Sequence, residues 1–418
     1  MNEFKTIKEV CDIVVDCPHF TPKWTSEGKI VIRNNNIKNG HIDLSNPSYT
    51  DEENFKKRIR RAIPRGGDII ITREAPMGEV GMIPENVECC LGQRMVLLRV
   101  NEKICDKHYF LYCLQSRYVQ HQISWSEGTG TTVSNLRIPH LEEIKIPYIP
   151  IEKQRKVASV IQCIEEKIEV NKKLNKNLEQ QAKAVFKSWF EDFAPFDEPL
   201  VETPAGTFVP TSLKMVQIAD IPHILETGKR PKGGAVTSGI PSIGAENVKQ
   251  LGVVNFSSAK FIPKEFAAKM KTGAINGYEL LLYKDGGKPG TFIPHFSMFG
   301  EGFPYQKFFI NEHVFKLDFG DRGFNEFAYF FMQTDYAYHW LANNGGKAAV
   351  PGINQQNVND IWIFSPENSK VKEFGAWVQP LFSTILKNCA QNVKLAELRE
   401  TLLPRLMSGE IDVSVLDL

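Results

Sequence analysis

VASVIQCIEEKIEVNKKLNKNLEQQAKAVFKSW, residues 157–189, decides the fold when it is read every 3.5 residues. Val157, Ile161, Ile164, Ile168, Asn171, Asn175, Leu178, Ala182, Val185 and Trp189 follow one another in steps of four and three. That spacing is the a/d seam of a coiled coil. Pro is absent from Ile151 to Ala194, and Gly is absent from Pro150 until Gly206, so nothing interrupts a long helix. Adding 217 to each seam position gives Phe374, Val378, Leu381, Ile385, Asn388, Asn392, Leu395, Arg399, Leu402 and Leu406. The second seam repeats the first, including both Asn, and departs at Arg399. Pro404 is expected to kink or end this second helix about one turn early, since it lacks a backbone donor. Two such helices are expected to pack on each other as an antiparallel rod of roughly 60 Å. Asn171, Asn175, Asn388 and Asn392 then fix the register, because an Asn facing an apolar side chain is left unsatisfied.

Working outward, the rest of the chain repeats as well. Asn36–Gly40 resembles Asn247–Gly252. Gly67–Thr72 resembles Gly277–Leu282 at an offset of 210, and Ile83-Pro84 matches Ile293-Pro294 at the same offset. Leu91–Val96 then pairs with Ile310–Phe315 at 219, which implies a nine-residue insertion in the second copy. Each copy reads as a mixed α/β domain. Strands are expected at Lys29–Arg33, Asp68–Thr72, Met95–Val100 and Ile144–Tyr148, where aliphatic runs are broken by Gly, Pro and Asn. The second copy repeats them at Glu279–Tyr283, Val314–Leu317 and Asn359–Phe364. A helix is expected over Asp106–Gln122, with Asp106 as N-cap, and another over Asn325–Leu341. The expected architecture is α+β, with two pseudo-repeated mixed domains joined by two long helices packed as an antiparallel coiled coil. Its segments are 1–149, 150–193, 194–365 and 366–418.

The chain has 418 residues, with 50 Lys plus Arg against 49 Asp plus Glu. Its 42% hydrophobic and 24% charged composition is that of an ordinary globular protein, and excludes collagen, a disordered tail and a disulfide scaffold. No apolar run approaches the ~20 residues of a spanning helix, and the first residues do not read as a signal peptide. A cytoplasmic location is expected. None of the eight Cys forms C-x-x-C, so they read as indifferent thiols. A net charge of +1 counts against a simple histone-like DNA binder but not against one with local basic loops.

Catalytic patterns do not emerge. Gly286-Gly287-Lys288-Pro289 has Pro where a P-loop needs a hydroxyl for Mg²⁺. No Asn/Asp-Pro-Pro-aromatic tetrapeptide of an adenine methyltransferase occurs. Glu165-Glu166-Lys167 has the letters of a metal nuclease but lies on the seam helix. There is no Gly-x-Ser-x-Gly and no His-Glu-x-x-His. A binding protein is the expected class. The rival reading is a coiled-coil scaffold without DNA specificity.

The residues carry a resemblance. Ile146-Pro147-Tyr148-Ile149-Pro150-Ile151-Glu152-Lys153-Gln154, leading into Asn171 and Leu178–Ala182, resembles the central region of type I restriction-modification specificity subunits. Leu398–Ile411 looks like that family's C-terminal signature. Lys153 departs from it, standing where the family usually has an acid, and Ser365-Pro366-Glu367-Asn368 lacks the Gln. The resemblance implies two target recognition domains, each followed by a spacer helix. One domain reads each half of a split double-stranded DNA target, and the helices measure the unread spacer. It also implies docking of two methylation (M) subunits, and of restriction (R) subunits when the assembly cleaves DNA. S-adenosylmethionine, ATP and Mg²⁺ would belong to those partners, with no cofactor or metal on this non-catalytic chain.

Base edges are read by Arg, Lys, Asn and Gln on loops, and phosphates by Lys, Arg and small polar loops. The candidates in the first half are Arg33, Asn35, Asn36 and Lys38 on one loop, then Arg73, Gln93 and Arg94. Thr129, Thr131 and Thr132 in a Gly-hydroxyl loop follow, with Asn135 and Arg137. In the second half they are Lys229, Arg230 and Lys232 on a basic turn, Asn247 and Lys249, Lys284 and Lys288, and Lys347 with Asn354 and Gln355. The run Lys56–Arg61 is denser in charge, but fits a solvated helix face equally well.

Overall fold

Ile69–Thr72 shows how the strands are built. Ile69 and Ile71 enter one apolar core and Ile70 enters the opposite one. Successive side chains of a strand point to opposite faces, so a strand buried on both sides reads as a continuous apolar run. Leu280–Tyr283 repeats the device, with Leu280 and Leu282 in one core and Leu281 in the other. The computed structural model describes residues 3–38, 40–125, 135–346 and 350–414. It is a mixed helix-and-sheet structure that divides into two compact units, residues 1–166 with 395–418, and residues 167–394.

In the first unit, one four-stranded sheet runs in the order Cys11–Asp16, Met95–Val100, Ile69–Thr72, Val80–Met82, all antiparallel. A second runs Cys89–Leu91, Lys29–Ile32, Ser48–Thr50, Trp24–Thr25, with its first pair parallel. Glu3–Thr6 pairs antiparallel with Lys145–Tyr148.

The second unit repeats the antiparallel sheet within itself and varies the other, placing its parallel pair at the centre instead of the edge. Ile224–Thr227, Val314–Asp318, Leu280–Tyr283 and Phe296–Ser297 form one antiparallel sheet. Lys260–Ile262, Ile240–Ile243, Phe308–Ile310 and Ala274–Ile275 form the other, and Ile240–Ile243 runs parallel to Phe308–Ile310. Met215–Gln217 pairs antiparallel with Trp362–Phe364. The parallel pairings set Leu91 beside Ile32 and Ile310 beside Ile243.

The helices following these sheets are broken where the sequence suggests continuity. Asp106 caps Lys107–Gln115, accepting from the backbone N–H groups of His108 and Tyr109, but a separate helix covers Arg117–Trp125. Ser116 makes the break. Its hydroxyl donates to the Cys113 carbonyl and accepts from the Val119 N–H, closing one helix and opening the next. Thr334 does the same between Arg322–Phe331 and Asp335–Gly345. The expected strand at Asn359–Phe364 is shorter, since Gln355–Asn359 is helical and pairing begins at Trp362.

The central helix spans Ile151–Phe190 and the C-terminal helix Ser369–Met407. The latter passes through Pro404 instead of stopping there. Leu403, Leu406 and Met407 are buried in the first unit's core, and the Ser408 N–H still reaches the Pro404 carbonyl at 2.9 Å. One missing donor near a helix end costs less than withdrawing three apolar side chains. Within the second unit the segments of these two helices run antiparallel. The Asn171 amide donates to Asn392 Oδ1 and Gln391 Oε1, each at 2.8 Å, and Asn388 donates to Asn175 Oδ1 at 2.8 Å. Within the first unit Arg399, the charged seam position, pairs with Glu165 at 3.2 Å, and Glu165 also accepts from the Tyr112 hydroxyl.

Candidate functional site

Five of the nominated first-half residues line one open cleft of about 810 Å³ in the first unit. Arg33, Asn35 and Lys38 come from the loop after Lys29–Ile32, and Gln93 and Arg94 from the loop after Cys89–Leu91. The parallel pairing of those strands puts their C-terminal ends side by side, so the two loops must converge. Gly92 permits the approach. Its N–H bonds the Ile32 carbonyl at 2.7 Å, and a Cβ there would stand 2.9 Å from that oxygen.

The backbone is strained around this cleft. Arg94 and Ala75, both non-glycine, have φ of +67° and +47°. Such conformations persist where the surroundings over-determine them, and they cluster at ligand sites. The Arg94 carbonyl accepts from the Arg73 N–H at 2.8 Å, which holds the turned segment. The side chain of Arg94 is exposed, and its Nε lies 3.2 Å from Glu74 Oε2. Arg33 places its guanidinium carbon 5.1 Å from the centre of the Trp24 ring, a cation–π distance, and donates to Ser48 Oγ at 3.4 Å. Gln93 donates to the His19 carbonyl and to Thr21 Oγ1. The sequence reading missed Trp24, Thr21 and Glu74. Trp24, nearly half exposed in a Pro-Lys-Trp-Thr stretch, carried the available signal.

Other nominated residues serve the fold. Asn36 is buried, its oxygen accepting from the Arg33 N–H and its amide donating to the Asp43 carbonyl. Arg73 is nearly enclosed, bonded to Asp16, the Leu136 carbonyl and Asn135. Arg137 is exposed and precedes the helix Ile138–Glu143. The dense Lys56–Arg61 run is not simply a solvated face. Lys56 and Lys57 pair with Glu52 and Glu53 on the helix Glu52–Arg58. Arg58 is buried, donating to the Leu91, Phe20 and Pro18 carbonyls. Burial pulls its guanidinium below the ordinary value and pushes the neighbouring Cys90 thiol up to about 11, which keeps that thiol neutral. Thr129, Thr131, Thr132 and Lys347 lie outside the described residues.

In the second unit the position matching Arg94 at the offset of 219 is His313. Its Nδ1 meets Asp285, and its Nε2 lies 3.4 Å from Glu312. Lys284 is tied down, 3.3 Å from Asp285 and donating to the Glu312 carbonyl. Arg230 stands 3.7 Å from Glu312. Lys229, Lys232, Lys249 and Lys288 are exposed. Asn247 is buried and accepts from the Asn255 N–H. Asn354 caps Gln355–Asn359, and Gln355 donates to the Leu225 carbonyl.

Comparisons with known proteins agree on one family. Residues 2–180 match the model of the type I restriction modification DNA specificity domain. The chain is 25% identical over 406 residues to the type I restriction enzyme MjaIX specificity subunit of Methanocaldococcus jannaschii, across 96% of this chain and 88% of that one. It is 22% identical over 438 residues to the HindI specificity subunit of Haemophilus influenzae, across 89% and 91%. Among solved structures it resembles the type I restriction-modification S subunit of M. genitalium in fold, with a TM-score of 0.57 and 17% identity over 97% and 95% of the two chains.

Proposed function

We propose that the chain is a type I restriction-modification specificity subunit, as its likeness to that family along most of its length supports, and that it reads a bipartite DNA target, one half-site per unit. The two units are the recognition domains of a duplicated chain. The central and C-terminal helices, paired antiparallel, set the unread spacer and dock the methylation and restriction subunits. The chain is non-catalytic and acts in the cytoplasm. S-adenosylmethionine, ATP and Mg²⁺ are handled by its partners. No helix among the described residues is long and apolar enough to cross a membrane.

The observation that carries this reading is the cleft of the first unit. Arginines, a lysine and amide side chains from two loops converge there on a strained backbone. Guanidinium and amide groups present the donor patterns that base edges and phosphates accept. A scaffold without DNA specificity has no use for such a cleft, so that alternative is not favoured.

The test is a footprint of the full chain with its methylation partner on duplex DNA selected from a random library. Arg33→Ala should weaken protection of one half-site about tenfold or more and leave the other unchanged. Equal weakening at both half-sites would sink the assignment of one unit to one half-site.

A further inference from the structure

Arg94 differs from the other basic residues of the cleft in how it is held. Its backbone is locked left-handed by the Arg73 N–H to Arg94 carbonyl bond, and the next strand begins at Met95, which is fully buried. The side chain can therefore leave the loop in few directions. Glu74 Oε2 lies 3.2 Å from Nε, at the base of the guanidinium, and the Arg94 side chain is still 54% exposed. Glu74 is itself mostly enclosed, and the Asn34 amide donates to its carbonyl at 2.7 Å, tying the two loops together. With a carboxylate beside Nε, the planar Nη1/Nη2 edge supplies the donors of a side chain that remains half exposed in the cleft. That edge matches the adjacent O6 and N7 acceptors of guanine in the major groove, and no other base pair presents two acceptors on one base there.

We infer that Arg94 is a specificity-determining residue that reads one guanine of the half-site recognised by the first unit, with Glu74 as its positioning residue. The inference rests on the DNA-reading function proposed above. The second unit cannot make the same reading at the matching position. His313 has no fork, and both its ring nitrogens face the carboxylates of Asp285 and Glu312. A guanine read by the second unit would have to be read by another residue.

The experiment is selection from a library of random-sequence duplex oligonucleotides by the full chain with its methylation partner. Wild type, Arg94→Lys, Arg94→Ala and Glu74→Gln are compared, and the salt dependence of binding to the selected wild-type site is measured for each. Arg94→Lys keeps the charge and loses the fork. It should relax the guanine preference about ten- to hundredfold at one position of one half-site, with the salt slope unchanged. Arg94→Ala should relax the same position. Glu74→Gln should relax it by a smaller factor, which a merely structural carboxylate would not do. An unchanged motif with Arg94→Lys, joined to a salt slope reduced by about one with Arg94→Ala, would make Arg94 a phosphate contact and overturn the inference. Relaxation of many positions in both half-sites would overturn it too. If the wild-type complex enriches no motif at all, the DNA-reading function falls, and the inference falls with it. A motif that is enriched but indifferent to Arg94 refutes only the inference.

Discussion

Arg73→Ala separates a residue that builds the first unit from one that reads a ligand. The Arg73 guanidinium bonds Asp16 Oδ2 at 2.7 Å, the Leu136 carbonyl at 2.8 Å and Asn135 Oδ1 at 3.0 Å. Its side chain is only 12% exposed and that of Asp16 only 18%, so water replaces little of what is lost. Asp16 keeps its contact with His19, but its Oδ1 already has no partner. Hydrogen bonds to charged groups contribute about 1.5–3 kcal/mol each, and a buried pair broken on one side costs about 3–5 kcal/mol. Allowing for His19, the expected loss is about 3 kcal/mol, or roughly a hundredfold in the opening equilibrium. The assay is amide hydrogen exchange of the full chain, read on peptides spanning 69–72 and 95–100, whose strands lie at the centre of that unit's antiparallel sheet. Their protection should fall about a hundredfold. Arg33→Ala, which removes an exposed side chain, should leave it within about threefold. If Arg73→Ala leaves protection intact and abolishes one half-site footprint, then Arg73 contacts DNA and the structural account is refuted.

Two further outcomes follow from buried polar groups of the second unit. Asn171→Leu leaves Asn392 and Gln391 without their donor and should lower stability by about 1–3 kcal/mol in urea unfolding. Asn171→Leu combined with Asn392→Leu should recover that loss yet broaden the spacer lengths accepted in selection, and an unbroadened spacer would remove the register role of the Asn pairs. Glu326, fully buried beside Arg322, has its carboxyl raised to about 7 by burial, from an ordinary 4.5. Its folded value lies above its unfolded one, so stability falls as pH rises from about 4.5 to 7 and levels off above that. Glu326→Gln should flatten this segment of the stability–pH curve, whereas an unchanged slope would place the titration elsewhere.

Much of the architecture is legible in the sequence because it depends on period. Three consecutive isoleucines between a turn and a threonine leave little choice but a strand buried on both faces. The steps of four and three from Val157 to Trp189 leave little choice but a long helix. What stays hidden is what depends on one side chain finding a distant partner. Ser116 and Thr334 look like ordinary helix residues, yet each closes one helix and starts the next through bonds to carbonyls and amides three residues away. Pro404 carries a local stop signal that is overridden by Leu403, Leu406 and Met407 docking into a core assembled mostly from residues before 167.

The candidate site obeys the same division. Arg33, Arg73 and Arg94 all stand beside strand ends and Arg58 ends a helix, and no local pattern sorts the four by role. Sorting comes from contacts that span tens of residues in the sequence. Arg58 is consumed by the carbonyls of Pro18, Phe20 and Leu91, and Arg73 by Asp16, Asn135 and Leu136. Arg33 and Arg94 are braced on one side only, by Trp24 and Glu74, and remain exposed on the other. A bracing partner that occupies part of a guanidinium restricts its motion without using up its donors. A ligand then binds at a smaller entropic cost than it would to a free side chain. The two units keep the order of the antiparallel sheet and the apolar alternation of its strands, while Arg94 in one and His313 in the other stand at the same step of the chain. Changing such a residue leaves the buried pairings untouched, so two units of similar build can present different loop surfaces without changing how either unit folds.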